Sequence, residues 1–224
     1  MSIWVKICGS TSLEDAWLAA EAGADAVGFV FATSPRHVTA EQVASISPRL
    51  PDALEKIGVF VGSSLDEIEA TVRACRLTGV QLHAEGGANL PVQLRERLGP
   101  RLRILRVVHF GSAVTEQVAA LAQDKNIDAV LVDSRTATAV GGTGIAYDWD
   151  MAANSLFGSP GELRLIAAGG LTPENVFEAI ARLIPWGVDV ASGVEAAPGR
   201  KDPDKVRVFV AKARAAALAR SQGQ

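Results

Sequence analysis

Short runs of β-branched and aliphatic residues recur along the whole chain. Each is followed by a turn of small residues and then by a segment with apolar positions three and four apart. The runs are Val5-Lys6-Ile7-Cys8, residues 25–31, 56–61, 80–83, 103–108, 128–133, 163–168 and 186–191. The segments between them read as helices. The first runs to about Ala22 with Thr11 or Ser12 as N-cap, and the second is capped by Thr39 with Gln42 as its capping-box partner. Others span about 64–76, 91–98, 113–124, 149–154 and 202–218, and Thr172-Pro173 opens one more with an N-cap and a proline in its first turn. Residues 219–224 read as a frayed tail.

Strands alternating with helices give an α/β protein with a parallel sheet. Eight repeats favour closure into a single (β/α)8 barrel of the TIM type over residues 1–218, rather than an open doubly wound sheet. No GxGxxG turn follows the first strand, which also weighs against the open sheet. In such a barrel all eight strand ends face one mouth, and ligands bind there.

Period two along the first strand puts Trp4, Lys6 and Cys8 on one face and Val5 and Ile7 on the other. If Cys8 faces the lumen, Lys6 does too, and a buried lysine needs a partner. Asp189, on the eighth strand and so next to the first in a closed ring, is the expected one.

Composition narrows the partners. Apolar residues are 48% of the 224-residue chain, enough for a large core. The net charge of −3, with mixed signs, argues against nucleic acid as a partner. No apolar run reaches membrane-spanning length, and no signal-peptide core opens the chain. Two cysteines make no disulfide framework, and no Cys/His cluster points to a metal. The expectation is a cytoplasmic protein with a small-molecule phosphorylated ligand, no cofactor and no metal, as a monomer or homodimer.

Glycines gather after the last three strands: Gly141-Gly142-Thr143-Gly144, Gly169-Gly170, and Ser192-Gly193, the last just before a short helix that Val194-Glu195 would begin. Glycine lets backbone N–H groups approach an oxyanion. These are the loops that hold phosphate in phosphate-binding barrels, so Gly142, Gly144, Gly169, Gly170, Ser192 and Gly193 are candidate ligand contacts. Cys8 and Asp133 end strands one and six and form a candidate acid/base pair; the plainer readings are a small buried hydrophobe and a loop cap. Arg36, in the loop after strand two, is placed to hold a carboxylate. His83 and Arg106, at or near the ends of strands four and five, are candidate ligand contacts. Cys75, on the third helix, reads as packing.

These motifs, in this order and spacing, resemble the phosphoribosylanthranilate isomerase family. The resemblance rests on VKICG at 5–9, GADAVGFVF at 23–31, Ser34-Pro35-Arg36, GVFV at 58–61 and VQLH at 80–83. It continues through LVD at 131–133, GGTG at 141–144, AGGLTPENV at 168–176 and VDVASGVE at 188–195. Ser10 stands where an aliphatic residue is common in the family, and Ala84 where glycine is usual. The resemblance implies an aldose–ketose isomerase of tryptophan biosynthesis. It would carry out the Amadori rearrangement of N-(5-phosphoribosyl)anthranilate to 1-(2-carboxyphenylamino)-1-deoxyribulose 5-phosphate. It implies Cys8 as general base at C2, Asp133 as general acid at the ring oxygen, and Arg36 on the anthranilate carboxylate. Rival readings are the histidine-pathway aminoaldose isomerase, which carries aspartate in place of the thiol, a bifunctional enzyme, and a non-catalytic phospho-ligand-binding barrel.

Overall fold

Hydrogen-bond register closes the eight apolar runs into a ring. In a computed structural model that describes residues 3–83, 87, 89–133, 149–157 and 163–222, the strands pair in parallel, each with its neighbours, as a closed barrel. They are β1 (Trp4–Cys8), β2 (Ala26–Val30), β3 (Glu55–Phe60), β4 (Gly79–Leu82), β5 (Arg103–His109), β6 (Ala129–Asp133), β7 (Arg164–Ala168) and β8 (Gly187–Val190). The seam joins β1 to β8, with Lys6 opposite Asp189. The helices are α1 (Leu13–Glu21), α2 (Ala40–Ile46), α3 (Leu65–Cys75), α4 (Leu90–Leu98), α5 (Val114–Leu121), α6 (Trp149–Ala152), α7 (Val176–Leu183) and α8 (Pro203–Gln222).

Local chemistry sets the helix starts. Ser12 Oγ accepts the Asp15 N–H at the head of α1. Thr39 with Gln42, and Ser64 with Glu67, form capping boxes at α2 and α3, each satisfying N–H groups that a helix start leaves bare. At α7 the regular helix spans Val176–Leu183, but the expected cap is at Thr172: its Oγ1 accepts the Glu174 N–H at 3.2 Å and its carbonyl the Val176 N–H at 3.1 Å, while Asn175 Oδ1 reaches back to accept the Thr172 N–H at 2.8 Å.

Two further differences lie near the C-terminus. A two-stranded antiparallel hairpin, β9 (Glu195–Ala197) and β10 (Arg200–Lys201), follows β8 and was not expected. Helix α8 continues to Gln222, so residues 219–222, expected as frayed, are helical; no glycine or proline interrupts them.

Alternation along the strands divides the interior in two. Side chains pointing outward, among them Val5, Ile7, Val27, Phe29, Ile104, Val108, Val130 and Val132, join the helices in one continuous apolar layer. Side chains pointing inward fill the lumen: Trp4, Ala26, Ile57, Leu105, Val107, Ala129, Leu131, Ile166 and Ala168. The lumen is therefore plugged below its mouth. At the bottom, Trp4 stacks on Trp186 with ring centroids 5.2 Å apart, and the guanidiniums of Arg103 and Arg164 lie over Trp186. Arg214 of α8 donates to the carbonyls of Ile3 and Gly23 and pairs with Asp25, pinning the last helix beneath β1 and β2.

Candidate active site

Strand parity delivers the first functional groups. Lys6 and Cys8 both point into the barrel, and both lie over Gly28 of β2. A Cβ at Gly28 would stand 2.7 Å from Cys8 Sγ and 3.0 Å from Lys6 Cε. The thiol and the lysine stem are thus neighbours on one patch of wall. Lys6 is fully buried and reaches across the lumen, donating to Asp189 Oδ1 at 2.8 Å and to Gln81 Oε1 of β4 at 2.9 Å. The expected Lys6–Asp189 pair is present. Burial opposes the charge on Lys6, but Asp189 and then Cys8 outweigh it and hold its pKa above the ordinary lysine value. A buried ammonium therefore sits beside the sulfur that a base role needs as an anion.

Asp133 ends β6, three strands from β1 by the shorter way round the ring, and is 2% exposed. Its parity with Ala129 and Leu131 aims it inward. The thiol and the carboxyl therefore look into the same mouth. His83 follows β4 in phase with inward Gln81. Its ring lies 6.1 Å from that of His109, which ends β5 in register with Asp133. Sequence reasoning missed His109. It shares the parity of Leu105 and Val107, and the strand was taken to end one residue short of it.

Arg106 does not reach the mouth. Leu105 and Val107 line the lumen while Ile104 and Val108 join the outer layer, so Arg106 turns outward toward the helices. Its Nε and Nη1 are buried without a hydrogen-bond partner among the described residues, and burial pulls its pKa below the ordinary arginine value. Proposing it as a ligand contact was an error of strand face. Cys75 is buried in the outer layer, and its thiol contacts the Ala40 carbonyl, as packing requires.

Loops after β7 and β8 carry the glycines expected to receive an anion. Gly169 and Gly170 both take positive φ, 81° and 65°. Residues Ser192–Val194 form a single 3-10 turn, starting two residues before the expected short helix. Gly193 has no freedom to be anything else: a Cβ there would meet the Leu171 carbonyl oxygen at 1.9 Å, so the two loops are pressed backbone to backbone. Gly142 and Gly144, with the rest of the loop after β6, lie outside the described residues, as does Ala84.

Arg36 lies at the rim on the β1–β2 side. Its Nε and Nη2 donate to the two carboxylate oxygens of Glu195, both at 2.7 Å. Glu195 also accepts from Lys201 Nζ at 3.1 Å. Burial alone would raise the Glu195 carboxyl, but Arg36 and Lys201 prevail and hold it below the usual carboxylate value. Burial pushes Lys201 below its ordinary value, against the pull of Glu195 and Cys8. Among the described residues no cluster of three or more His, Cys, Asp or Glu is placed to hold a metal.

A closed parallel barrel with a base candidate, an acid candidate and an anion-receptive loop pair around one mouth falls in the class of (β/α)8 barrel enzymes. The comparisons make the class specific. The family model of N-(5'-phosphoribosyl)anthranilate (PRA) isomerase matches residues 5–212. The N-(5'-phosphoribosyl)anthranilate isomerase of Citrifermentans bemidjiense is 44% identical over 215 residues, covering 96% of this chain and 98% of that one. A crystal structure of phosphoribosyl anthranilate isomerase from Thermotoga maritima superposes with a TM-score of 0.83 at 36% identity, over 95% of this chain and 99% of that one. Another, in complex with reduced 1-(o-carboxyphenylamino)-1-deoxyribulose 5-phosphate, gives 0.78 at 34% identity over the same shares. The chain belongs to the phosphoribosylanthranilate isomerase family.

Proposed function

We propose that this chain catalyses the Amadori rearrangement of N-(5'-phosphoribosyl)anthranilate to 1-(2-carboxyphenylamino)-1-deoxyribulose 5-phosphate, a step of tryptophan biosynthesis. The observation that carries the reading is the family match over residues 5–212 on a barrel whose mouth holds both Cys8 and Asp133. Asp133 gives a proton to the furanose oxygen as the C1–O bond breaks, leaving an iminium between C1 and the anthranilate nitrogen. The iminium makes the C2 hydrogen acidic. Cys8, as thiolate, takes it, and the C2–H pair becomes the C1–C2 double bond of an enaminol. Protonation at C1 and loss of the C2 hydroxyl proton then give the ketose. Acid–base groups of this kind contribute roughly 10²–10⁴-fold each.

Arg36 holds the anthranilate carboxylate in this reading. The phosphate lies against Gly169, Gly170, Ser192 and Gly193. His83 lines the wall between. Residues 1–218 act as one catalytic barrel domain. A cytoplasmic setting fits a biosynthetic enzyme, and among the described residues no helix is long and apolar enough to cross a membrane. One relative, the Thermotoga maritima isomerase, is described as dimeric; monomer and homodimer both fit this chain.

The test is turnover. Purified protein mixed with N-(5'-phosphoribosyl)anthranilate should discharge its fluorescence, and Arg36→Lys should raise KM, because lysine cannot reproduce the planar two-donor edge. No turnover by the wild type would overturn the assignment. An unchanged KM in Arg36→Lys would remove the carboxylate role alone.

A further inference from the structure

Arg36 arrives at the mouth already engaged. The Nε–H and one Nη2–H bind Glu195 as a two-oxygen pair, which fixes the plane of the guanidinium. A guanidinium has five N–H donors. The opposite edge, made of Nη1 and the second Nη2–H, has no acceptor among the described residues, and it is the matching fork for a second carboxylate. The side chain of Glu195 is 5% exposed and that of Arg36 is 18%, so what meets solvent is the arginine. The stem is fixed as well. Arg36 Cδ packs on Gly9, 2.5 Å from where a Cβ would stand there, one residue from Cys8.

Glu195 is itself held. Lys201 Nζ is buried and donates to three acceptors: the Cys8 carbonyl at 2.6 Å, the Ala191 carbonyl at 3.1 Å and Glu195 Oε1 at 3.1 Å. Three acceptors use all three N–H groups of an ammonium, one more than a neutral amine offers. Lys201 thereby ties the end of β1 and the end of β8 to the carboxylate that grips Arg36. It also solves an electrostatic problem. A carboxylate next to a carboxylate-binding arginine would cancel its charge and repel the ligand. Lys201 supplies a second cation beside Glu195, so the three side chains Arg36, Glu195 and Lys201 together carry one positive charge, the sign that receives a carboxylate.

From this geometry we infer that Glu195, anchored by Lys201, is the positioning residue that turns the open edge of Arg36 toward the aromatic carboxylate of the ligand. Glu195 touches no substrate; it acts through Arg36. The inference rests on the reading of Arg36 given above. It also explains the hairpin after β8, which places Glu195 and Lys201 on facing strands β9 and β10.

Binding separates the two ideas. Dissociation constants are measured by calorimetry for the reduced carboxyphenylamino product analogue and for its phenylamino counterpart, which lacks the carboxylate. The proteins are wild type, Glu195→Gln, Glu195→Asp and Arg36→Lys. Gln keeps the size of Glu195 but offers one acceptor oxygen, so the two-point grip is lost. Glu195→Gln should weaken the carboxylate analogue about tenfold, or about 1.4 kcal/mol, and leave the phenylamino analogue within about twofold. Glu195→Asp, which keeps both oxygens, should recover part of the loss. If Arg36→Lys weakens the carboxylate analogue and Glu195→Gln does not, the inference is overturned while the role of Arg36 stands. If Glu195→Gln weakens both analogues equally, Glu195 is merely structural and the inference is again overturned. If Arg36→Lys weakens neither, the underlying reading of Arg36 falls, and the inference with it.

Discussion

Ser10 is a polar residue in an apolar place. It is fully buried just past β1, and its Oγ has no hydrogen-bond partner among the described residues. A buried hydroxyl left unpaired destabilises by about 1–3 kcal/mol, and the family commonly has an aliphatic residue here. Ser10→Ala should therefore stabilise the protein by about 1 kcal/mol, raising Tm by about 2–4 °C in a domain of this size. Thermal unfolding followed by circular dichroism checks it, and a drop in Tm would contradict it. Lys6 shows the opposite case. It is fully buried but fully engaged by Asp189 and Gln81, and it was foreseeable. Parity with Cys8 forces it inward, and ring closure puts Asp189 beside it. Gln81 was not foreseeable, because reach across a lumen leaves no trace in spacing. Arg106 failed for a related reason. Parallel barrel strands are apolar on both faces, so the pattern Ile104-Leu105-Arg106-Val107-Val108 does not say which face is inside.

At the scale of elements, the hairpin β9–β10 and the loop after β2 are joined through Glu195. Its carboxyl is held below the ordinary value of 4.5 by Arg36 and Lys201, against burial. A carboxylate with a lowered folded pKa adds stability that is present above its unfolded value and lost as pH falls through its folded one. The stability gap between wild type and Glu195→Gln should thus stay level above about pH 5.5 and shrink as pH drops below about 4.5. Urea unfolding at a series of pH values reads it. A gap that widens on acidification would contradict the pairing. Sequence pattern marked the eight strands of the barrel to within about a residue or two at each end, since each is a dense apolar run bounded by small residues. It missed β9 and β10 because strands of three and two residues carry no period to detect. It marked the cap at Thr172, whose Oγ1 accepts the Glu174 N–H, though the regular turns of α7 start only at Val176.

Over the whole molecule, the two ends of the barrel do different work. The bottom is closed by the Trp4–Trp186 stack, two flanking guanidiniums and the Arg103–Glu55 ion pair. The top collects the groups able to do chemistry. Cys8 and Asp133 come from strands far apart in the chain and open on one mouth only because the sheet closes. The side chains below them fill the lumen, so a ligand at the mouth has no way through. In the function proposed above, this thiol and this carboxyl carry the isomerisation. Its most direct test is the single-turnover rate with N-(5'-phosphoribosyl)anthranilate in wild type, Cys8→Ser and Asp133→Asn, at saturating enzyme. Each variant should bind the reduced product analogue nearly as well as wild type and turn over roughly 10²–10⁴-fold more slowly. Wild-type rates in either variant would contradict it.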